Sequence, residues 1–387
     1  MPSKRIAIIG AGPIGLEAAL YARTLGHDVV VFERATVGAN IAAWGFTRFF
    51  TPWLLNATSL GRKTLGALSP PLSVPLEQYP TGLEFCQRYL APLASAPLLR
   101  DCVREHADVV HVSKDDRPER PFRILAKDSD GKEQTEQADV LLDCSGTYGL
   151  PRWSGRAGAP APGEIALRDR IFHTIPDVLG RDRQQFADRH ALVIGCTYCS
   201  AIVLRDLQDL AANHRRTNVT WAVRRPDQTV HPILNDPLRA RGRLVESMLR
   251  LLERPPGWLQ FLSTAVLESL GTTKRGFSAT FRSNGRVVSL MPDEVVSLNG
   301  FRPDNSIYDP PAPQQPEPDT LRSTAAAAAR EIREAAPPPR FAADKAFYLL
   351  GAKNYGLNTN FLLQAGHMQI IDAFAIIEGV PELDLYQ

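Results

Sequence analysis

The chain has 387 residues, of which 44% are hydrophobic and 22% charged, with a net charge of +2. That length accommodates two domains with separate cores, and the near-neutral balance gives no electrostatic basis for nucleic acid or an anionic membrane as the main partner. Five cysteines make no secreted disulfide framework and no stretch reaches roughly eighteen uninterrupted apolar residues, so a cytoplasmic protein without a membrane span is expected.

The first pattern is KRIAIIGAGPIGLEAALYARTLGHDVVVFER, residues 4–34. Residues 5–9 form a short apolar strand, and Gly10, Gly12 and Gly15 then give G-x-G-x-x-G. The next residues have helical spacing up to Gly26, and a second apolar strand ends at Glu33, followed by Arg34. Each part has a physical role. Gly10 permits the tight turn, Gly12 lets a pyrophosphate approach the backbone, and Gly15 lets helix and strand pack closely. The helix N-terminus at Pro13 and Ile14 faces the phosphates, and Glu33 accepts hydrogen bonds from an adenosine ribose while repelling a 2′-phosphate. A lone glycine motif is weak; strand, loop, helix, strand and acid in register are specific for a dinucleotide site.

Further along, residues 37–61 are aromatic-rich and non-periodic, and residues 80–94 have amphipathic helical spacing. DVVHVSKDD and PFRILAKDSDGKEQ read as strands of a small meander with a DG turn. Residues 139–151 are a buried strand running into Ser145-Gly146 and Pro151. A second nucleotide unit starts at ALVIG, residues 191–195, where Gly195-x-Thr197-x-x-Ser200 occupies the glycine frame, with Tyr198 inside it. The strand NVTWAVRR ends in Arg224-Arg225, cations suited to a 2′-phosphate, which favours NADPH over NADH. Thr197 replaces the glycine whose bare backbone admits a pyrophosphate, so this second site is degenerate. Cys196 and Cys199 form a C-x-x-C on the same loop. They read first as loop residues, with a redox dithiol as the alternative and no second pair to complete a zinc site. Residues 231–262 are helical after Pro237, and 308–340 form a Pro-rich linker around an Ala-rich helix. Residues 294–304 are an apolar strand followed by Asn299-Gly300 and Arg302-Pro303-Asp304, and 347–366 a strand, a Gly-containing loop and a helix.

In this order the elements resemble the two-dinucleotide-binding-domain flavoproteins, on the side of the flavin-containing and N-hydroxylating monooxygenases. The resemblance implies an α/β fold of two Rossmann-like dinucleotide-binding domains, an FAD domain interrupted by an inserted NAD(P)H domain. The expected spans are 1–151 and 298–387 for the FAD domain and 152–297 for the insertion, with 308–340 a surface excursion. It implies FAD at the first loop and NADPH at the second. Trp44, Arg48, Trp53 and Asn56 become candidates to line the flavin or substrate cavity. Phe172 and His173 keep the outline of a family segment without its glycines, and a lone His is more often structural. In the loop that closes the flavin site this chain has Gly351-Ala352-Lys353 where the family has Gly-Asp. The ribityl contact therefore falls to Lys353 or Asn354, and Lys353, Tyr355 and Asn358 are candidate donors at the flavin edge.

The expected activity is NADPH-dependent monooxygenation, with O2 adding at flavin C4a and the hydroperoxide delivering oxygen to a small N, S or carbonyl substrate in the interdomain cleft. The catalytic candidates are Lys353, Tyr355 and Asn56. A reductase of a small acceptor or protein, and an oxidase with a non-functional NADPH site, are the alternatives. A homodimer is a possible assembly; no metal is expected.

Overall fold

A computed structural model describes residues 2–114, 120–225, 233, 236–309, 346–355 and 361–387. The chain divides into two compact units, one holding the residues up to Leu150 and those from Arg302 onward, the other Pro151–Phe301.

The first unit begins with β1 (Arg5–Ile9), helix α1 (Pro13–Thr24) and β2 (Asp28–Phe32), all parallel in the βαβ sense. Strand β1 is central, and Ile6, Ala7, Ile8 and Ile9 are all buried, because helices cover the face of Ile6 and Ile8 while the antiparallel strands of residues 108–138 cover the face of Ala7 and Ile9. α1 buries Ile14 through Ala22, its alanines allowing close approach to the sheet on one side. The helix spanning 82–94 widens to a π turn over Cys86–Leu90, next to Pro92, which lacks the N–H an α-helical bond there would need. The short β3 (Val103–Arg104) joins the edge beyond β2. Strands β4 (Asp108–Lys114), β5 (Phe122–Lys127) and β6 (Glu133–Ala138) form the expected antiparallel meander. Strand β7 (Val140–Asp143) then pairs with β1. The chain leaves this unit through β8 (Leu150–Pro151).

The second unit repeats the motif: β9 (His190–Ile194), α2 (Tyr198–Asn213) and β10 (Asn218–Ala222), parallel, followed by α3 (Arg239–Glu253) and β11 (Leu259–Leu262). A meander of β12 (Ala265–Thr272), β13 (Phe277–Ser283) and β14 (Arg286–Leu290) follows. Strand β15 (Glu294–Ser297) then pairs with β9, giving a sheet in the order β11-β10-β9-β15.

The return passes through β16 (Phe301–Arg302) and β17 (Tyr308–Asp309), which extends the first meander beside β4. Strand β18 (Phe347–Leu349) pairs with β7, so the first parallel sheet runs β18-β7-β1-β2-β3. Helix α4 (Leu363–Glu378) packs on α1, with Tyr21 stacked on Phe374 at 5.0 Å. The expected Ala-rich helix of 308–340 lies almost wholly outside the described residues.

Candidate functional site

The first loop owes its glycines to three different causes. Gly10 has φ +97°, and a side chain there would meet the Cys144 carbonyl at 2.9 Å. A Cβ on Gly15 would lie 1.9 Å from the Gly10 carbonyl oxygen, so helix and strand can pack only if residue 15 has none. Gly12 is different: no atom of the described residues lies within 4 Å of where its Cβ would be. Nothing inside the protein requires glycine there, and the open space suits a ligand resting on the backbone. Gly12 is also the N-cap of α1, with no side chain capping the helix and Pro13 in its first turn, so the free N–H groups face outward. Glu33 stands at the end of β2, its carboxylate accepting from Ala11 N–H at 2.8 Å and Ala35 N–H at 2.9 Å. It therefore sits at the mouth of the same loop. Arg34 is exposed, its guanidinium 3.1 Å from the place a Gly149 side chain would take. These features fit a dinucleotide such as FAD.

Strand β7 brings Asp143 to the neighbouring strand end, and β18 delivers the closing loop beside it. Lys353 is fully buried, and its Nζ contacts Asp143 Oδ2 at 2.5 Å, the Asp304 carbonyl at 2.6 Å and Ser145 Oγ at 3.2 Å. The Tyr308 hydroxyl donates to the same carboxylate, whose other oxygen accepts from Ser145 N–H at 2.9 Å and Ser145 Oγ at 2.6 Å. Burial pushes the Tyr308 phenol well above its usual range, with the Asp143 charge adding to it. Lys353 thus neutralises a buried aspartate, and the expectation that its ammonium serves as a donor to the flavin is corrected by this geometry. Sequence reading overlooked Asp143 and Tyr308; the signal was an acid ending an otherwise apolar strand, where only a buried partner can compensate its charge.

Gly351, at φ +70°, packs against Ile14 of the first turn of α1, with 3.2 Å between its would-be Cβ and the Ile14 side chain. Gly351 N–H donates to Gln369 Oε1 at 2.6 Å. Asn354 is 5% exposed, and neither end of its carboxamide has a hydrogen-bond partner among the described residues. The same holds for Gln369 Nε2. Tyr355 is half-buried against Phe361, and burial pushes its phenol to about 12. Asn358 lies outside the described residues. Gly146 has φ +70° with open space around it, beside Ser145.

The aromatic segment divides. Trp53 is a core side chain tilted on Phe85 at 5.6 Å. Asn56 is buried, accepting from Thr51 Oγ1 at 2.6 Å and donating to the Thr51 carbonyl at 3.0 Å, so its amide is engaged in holding that turn rather than free for chemistry. Arg48 is exposed and reaches the Tyr79 carbonyl at 2.6 Å and Glu84 at 3.6 Å. Trp44 stacks edge-on to Phe49 at 5.2 Å and leaves its buried indole N–H without a partner among the described residues.

In the second unit, Gly195 has φ +122°, and a side chain there would meet the Leu298 carbonyl at 2.5 Å. Thr197 caps α2. Its Oγ1 accepts from Ser200 N–H at 3.4 Å while Ser200 Oγ accepts from Thr197 N–H at 3.3 Å, a reciprocal box that the first loop lacks. Tyr198 lies under the Arg241 guanidinium at 5.9 Å, and Arg241 is itself paired with Asp236 at 2.8 Å. At the end of β10, Arg224 Nη1 donates to the Gly155 carbonyl at 3.1 Å. Burial, and secondarily the Arg224 charge, lower the pKa of Arg152, a second cation beside Arg224 that the sequence did not single out. Two neighbouring guanidiniums form a favourable place for a phosphate. Arg225 is exposed. None of the five cysteines is in a disulfide, and burial raises the Cys199 thiol pKa, the opposite of what a thiolate nucleophile needs. His173 is edge-on to Trp153 at 6.4 Å, and burial lowers its pKa. Among the described residues no cluster could hold a metal, and no helix is long and apolar enough to cross a membrane.

Flavin-containing monooxygenase GS-OX5 of Arabidopsis thaliana is 29% identical over 237 residues, covering 54% of this chain and 48% of that protein. The chain thus spans about half the length of the curated relatives it matches. Among solved structures, bacillithiol disulfide reductase Bdr from Bacillus cereus superposes with a TM-score of 0.65 at 19% identity, covering 98% of this chain and 100% of that one. The FAD-bound cadaverine monooxygenase DfoA of Erwinia amylovora does so with a TM-score of 0.65 at 16% identity, covering 98% and 95%. Ornithine hydroxylase from Pseudomonas aeruginosa has a TM-score of 0.61 at 15% identity, covering 98% and 99%. At these identities the structures establish the fold, the mixed α/β architecture of FAD- and NAD(P)-binding oxidoreductases. The pyridine nucleotide-disulphide oxidoreductase model matches residues 7–315, most of the chain, and the protein belongs to that family.

Proposed function

We propose that the protein is an FAD-dependent, monooxygenase-like oxidoreductase that takes its electrons from NADPH and oxygenates a small N, S or carbonyl compound. The observation that carries the reading is the open cradle at Gly12, with the uncapped α1 behind it and Glu33 at its rim. The curated relatives are flavin-containing monooxygenases, which supports oxygen transfer as the reaction. FAD, when bound, supplies two-electron acceptance and activation of O2. The chain's own residues do the rest. Gly12 and the first-turn N–H groups of α1 hold the pyrophosphate, and Glu33 accepts from the adenosine ribose. Arg224 and Arg152 hold the 2′-phosphate of NADPH, with the Ser200 and Thr197 hydroxyls near its pyrophosphate.

One observation favours a second reading. The Thr197–Ser200 box already occupies the α2 N-terminus, as it would in an oxidase whose second loop no longer binds NADPH. The dithiol reductase reading loses support from the raised Cys199 thiol. The test is anaerobic titration of the FAD-loaded protein. NADPH bleaches the flavin and Arg224→Ala raises the NADPH requirement about tenfold while sparing NADH, the loss of one charge-assisted contact. Equal effects on both nucleotides would remove the 2′-phosphate assignment, and no bleaching by either would favour the oxidase.

A further inference from the structure

We infer that Asn354 is the closing loop's binding residue for the flavin end of the dinucleotide, the part that Lys353 cannot play. This rests on the reading that the first loop takes FAD. The sheet order β18-β7-β1-β2-β3 lays out the path. Glu33 at the end of β2 marks the adenosine side, and the glycine loop after β1 marks the pyrophosphate. A dinucleotide crossing the strand ends in that direction reaches β7 and β18 with its other half. The closing loop after β18 belongs to this side and touches the glycine loop directly, Gly351 against Ile14 at 3.2 Å.

Among the described residues, Lys353, Asn354 and Gln369 bring amine and amide groups into or beside that loop. Lys353 is saturated by Asp143, the Asp304 carbonyl and Ser145. Gln369 holds Gly351 N–H through Oε1 and leaves Nε2 unpaired. Asn354 is buried with donor and acceptor both unpaired among the described residues. A buried carboxamide without partners costs free energy in the empty protein, so a polar partner such as a bound ligand offsets that cost. The flavin pyrimidine ring presents carbonyl acceptors and an N–H donor side by side, the complement of a carboxamide.

The experiment compares wild type with Asn354→Leu, of similar size and apolar, in three measurements on the full chain: Kd for FAD, Kd for ADP, and apoprotein Tm. ADP occupies only the adenosine and pyrophosphate half. The expected result is an FAD Kd raised about tenfold or more, an unchanged ADP Kd, and an apoprotein Tm unchanged or raised because an unsatisfied polar group is gone. Asn354→Ala should show the same FAD-to-ADP split. A lowered apoprotein Tm with both ligands weakened would make Asn354 a structural residue and overturn the inference, as would an unchanged FAD Kd. Wild type that binds ADP but not FAD would instead overturn the cofactor reading itself.

Discussion

Thr197 and Ser200 satisfy each other across the first turn of α2, hydroxyl to backbone N–H in both directions, at 3.4 and 3.3 Å. The corresponding turn of α1 has Gly12 as its cap and no such pair. The two nucleotide units therefore share a topology but present different helix ends to a phosphate. One is open, and the other must exchange an internal bond for a ligand bond.

Thr197→Gly should accordingly tighten NADPH binding. Removing the cap releases Ser200 N–H and the space above it, at a cost in apoprotein stability of roughly a few tenths of a kcal/mol, since glycine is itself tolerated as an N-cap. The NADPH Kd, from the rate of anaerobic flavin reduction against NADPH concentration, is expected to fall about fivefold, the equivalent of one hydrogen bond. A Kd that rises would mean the Thr197 hydroxyl is itself a phosphate ligand.

Gly12→Ala and Gly15→Ala should separate binding from folding. The added methyl at Gly12 meets no atom of the described residues within 4 Å, whereas at Gly15 it falls 1.9 Å from the Gly10 carbonyl oxygen. Gly12→Ala is expected to keep its apoprotein Tm and lose FAD affinity by about a hundredfold through crowding of the pyrophosphate. Gly15→Ala should lower the apoprotein Tm outright, as overpacking does. Full FAD retention by Gly12→Ala would refute the assignment of the first loop.

Lys353→Met leaves Asp143 as an uncompensated buried charge. A loss of about 3–5 kcal/mol is expected on denaturant unfolding of the apoprotein. The double variant Lys353→Met/Asp143→Asn should recover most of it. If the single variant is as stable as wild type, the pair at 2.5 Å does not act as the buried neutralising contact described here.

Glu17 on α1 is fully buried, with Tyr89, Thr58 and Tyr386 hydroxyls around its carboxylate. Burial pushes its pKa up from 4.5 to about 7, the hydroxyls only partly opposing. Because the folded pKa lies above the unfolded one, the folded chain binds the extra proton between these values. Stability is therefore fully present below pH 4.5 and declines as pH rises to about 7, by on the order of 3 kcal/mol. Glu17→Gln should flatten that decline, its Tm exceeding wild type increasingly from pH 5 to 8 by calorimetry. Parallel pH profiles for the two proteins would contradict it.

How much of this was legible in the sequence differs from residue to residue. The βαβ units and their glycine loops are written in local spacing, so Gly10, Gly12, Gly15, Glu33 and Gly195 could be placed from letters alone. The aromatic segment could not be resolved that way, because an Asn or Arg amid aromatics reads identically whether its partner is a ligand or, as for Asn56, a threonine five residues away. Lys353 was found in the right loop but given the wrong task. Its partner Asp143 is more than two hundred residues distant in the chain, and only the pairing of β18 with β7 joins them. Arg152 was missed for the same reason: its neighbour Arg224 lies beyond an intervening strand and helix.

On the function proposed, electrons from NADPH pass through bound FAD to O2, with one oxygen atom transferred to a substrate. The direct measurement is anaerobic reduction of the FAD-loaded protein by NADPH, followed by mixing with 18O2 and a panel of thioethers and amines, with mass analysis of the products. The expected result is flavin bleaching by NADPH and one 18O atom in an S- or N-oxidised product. Bleaching and reoxidation with all 18O recovered as hydrogen peroxide or water and none in any product would contradict it.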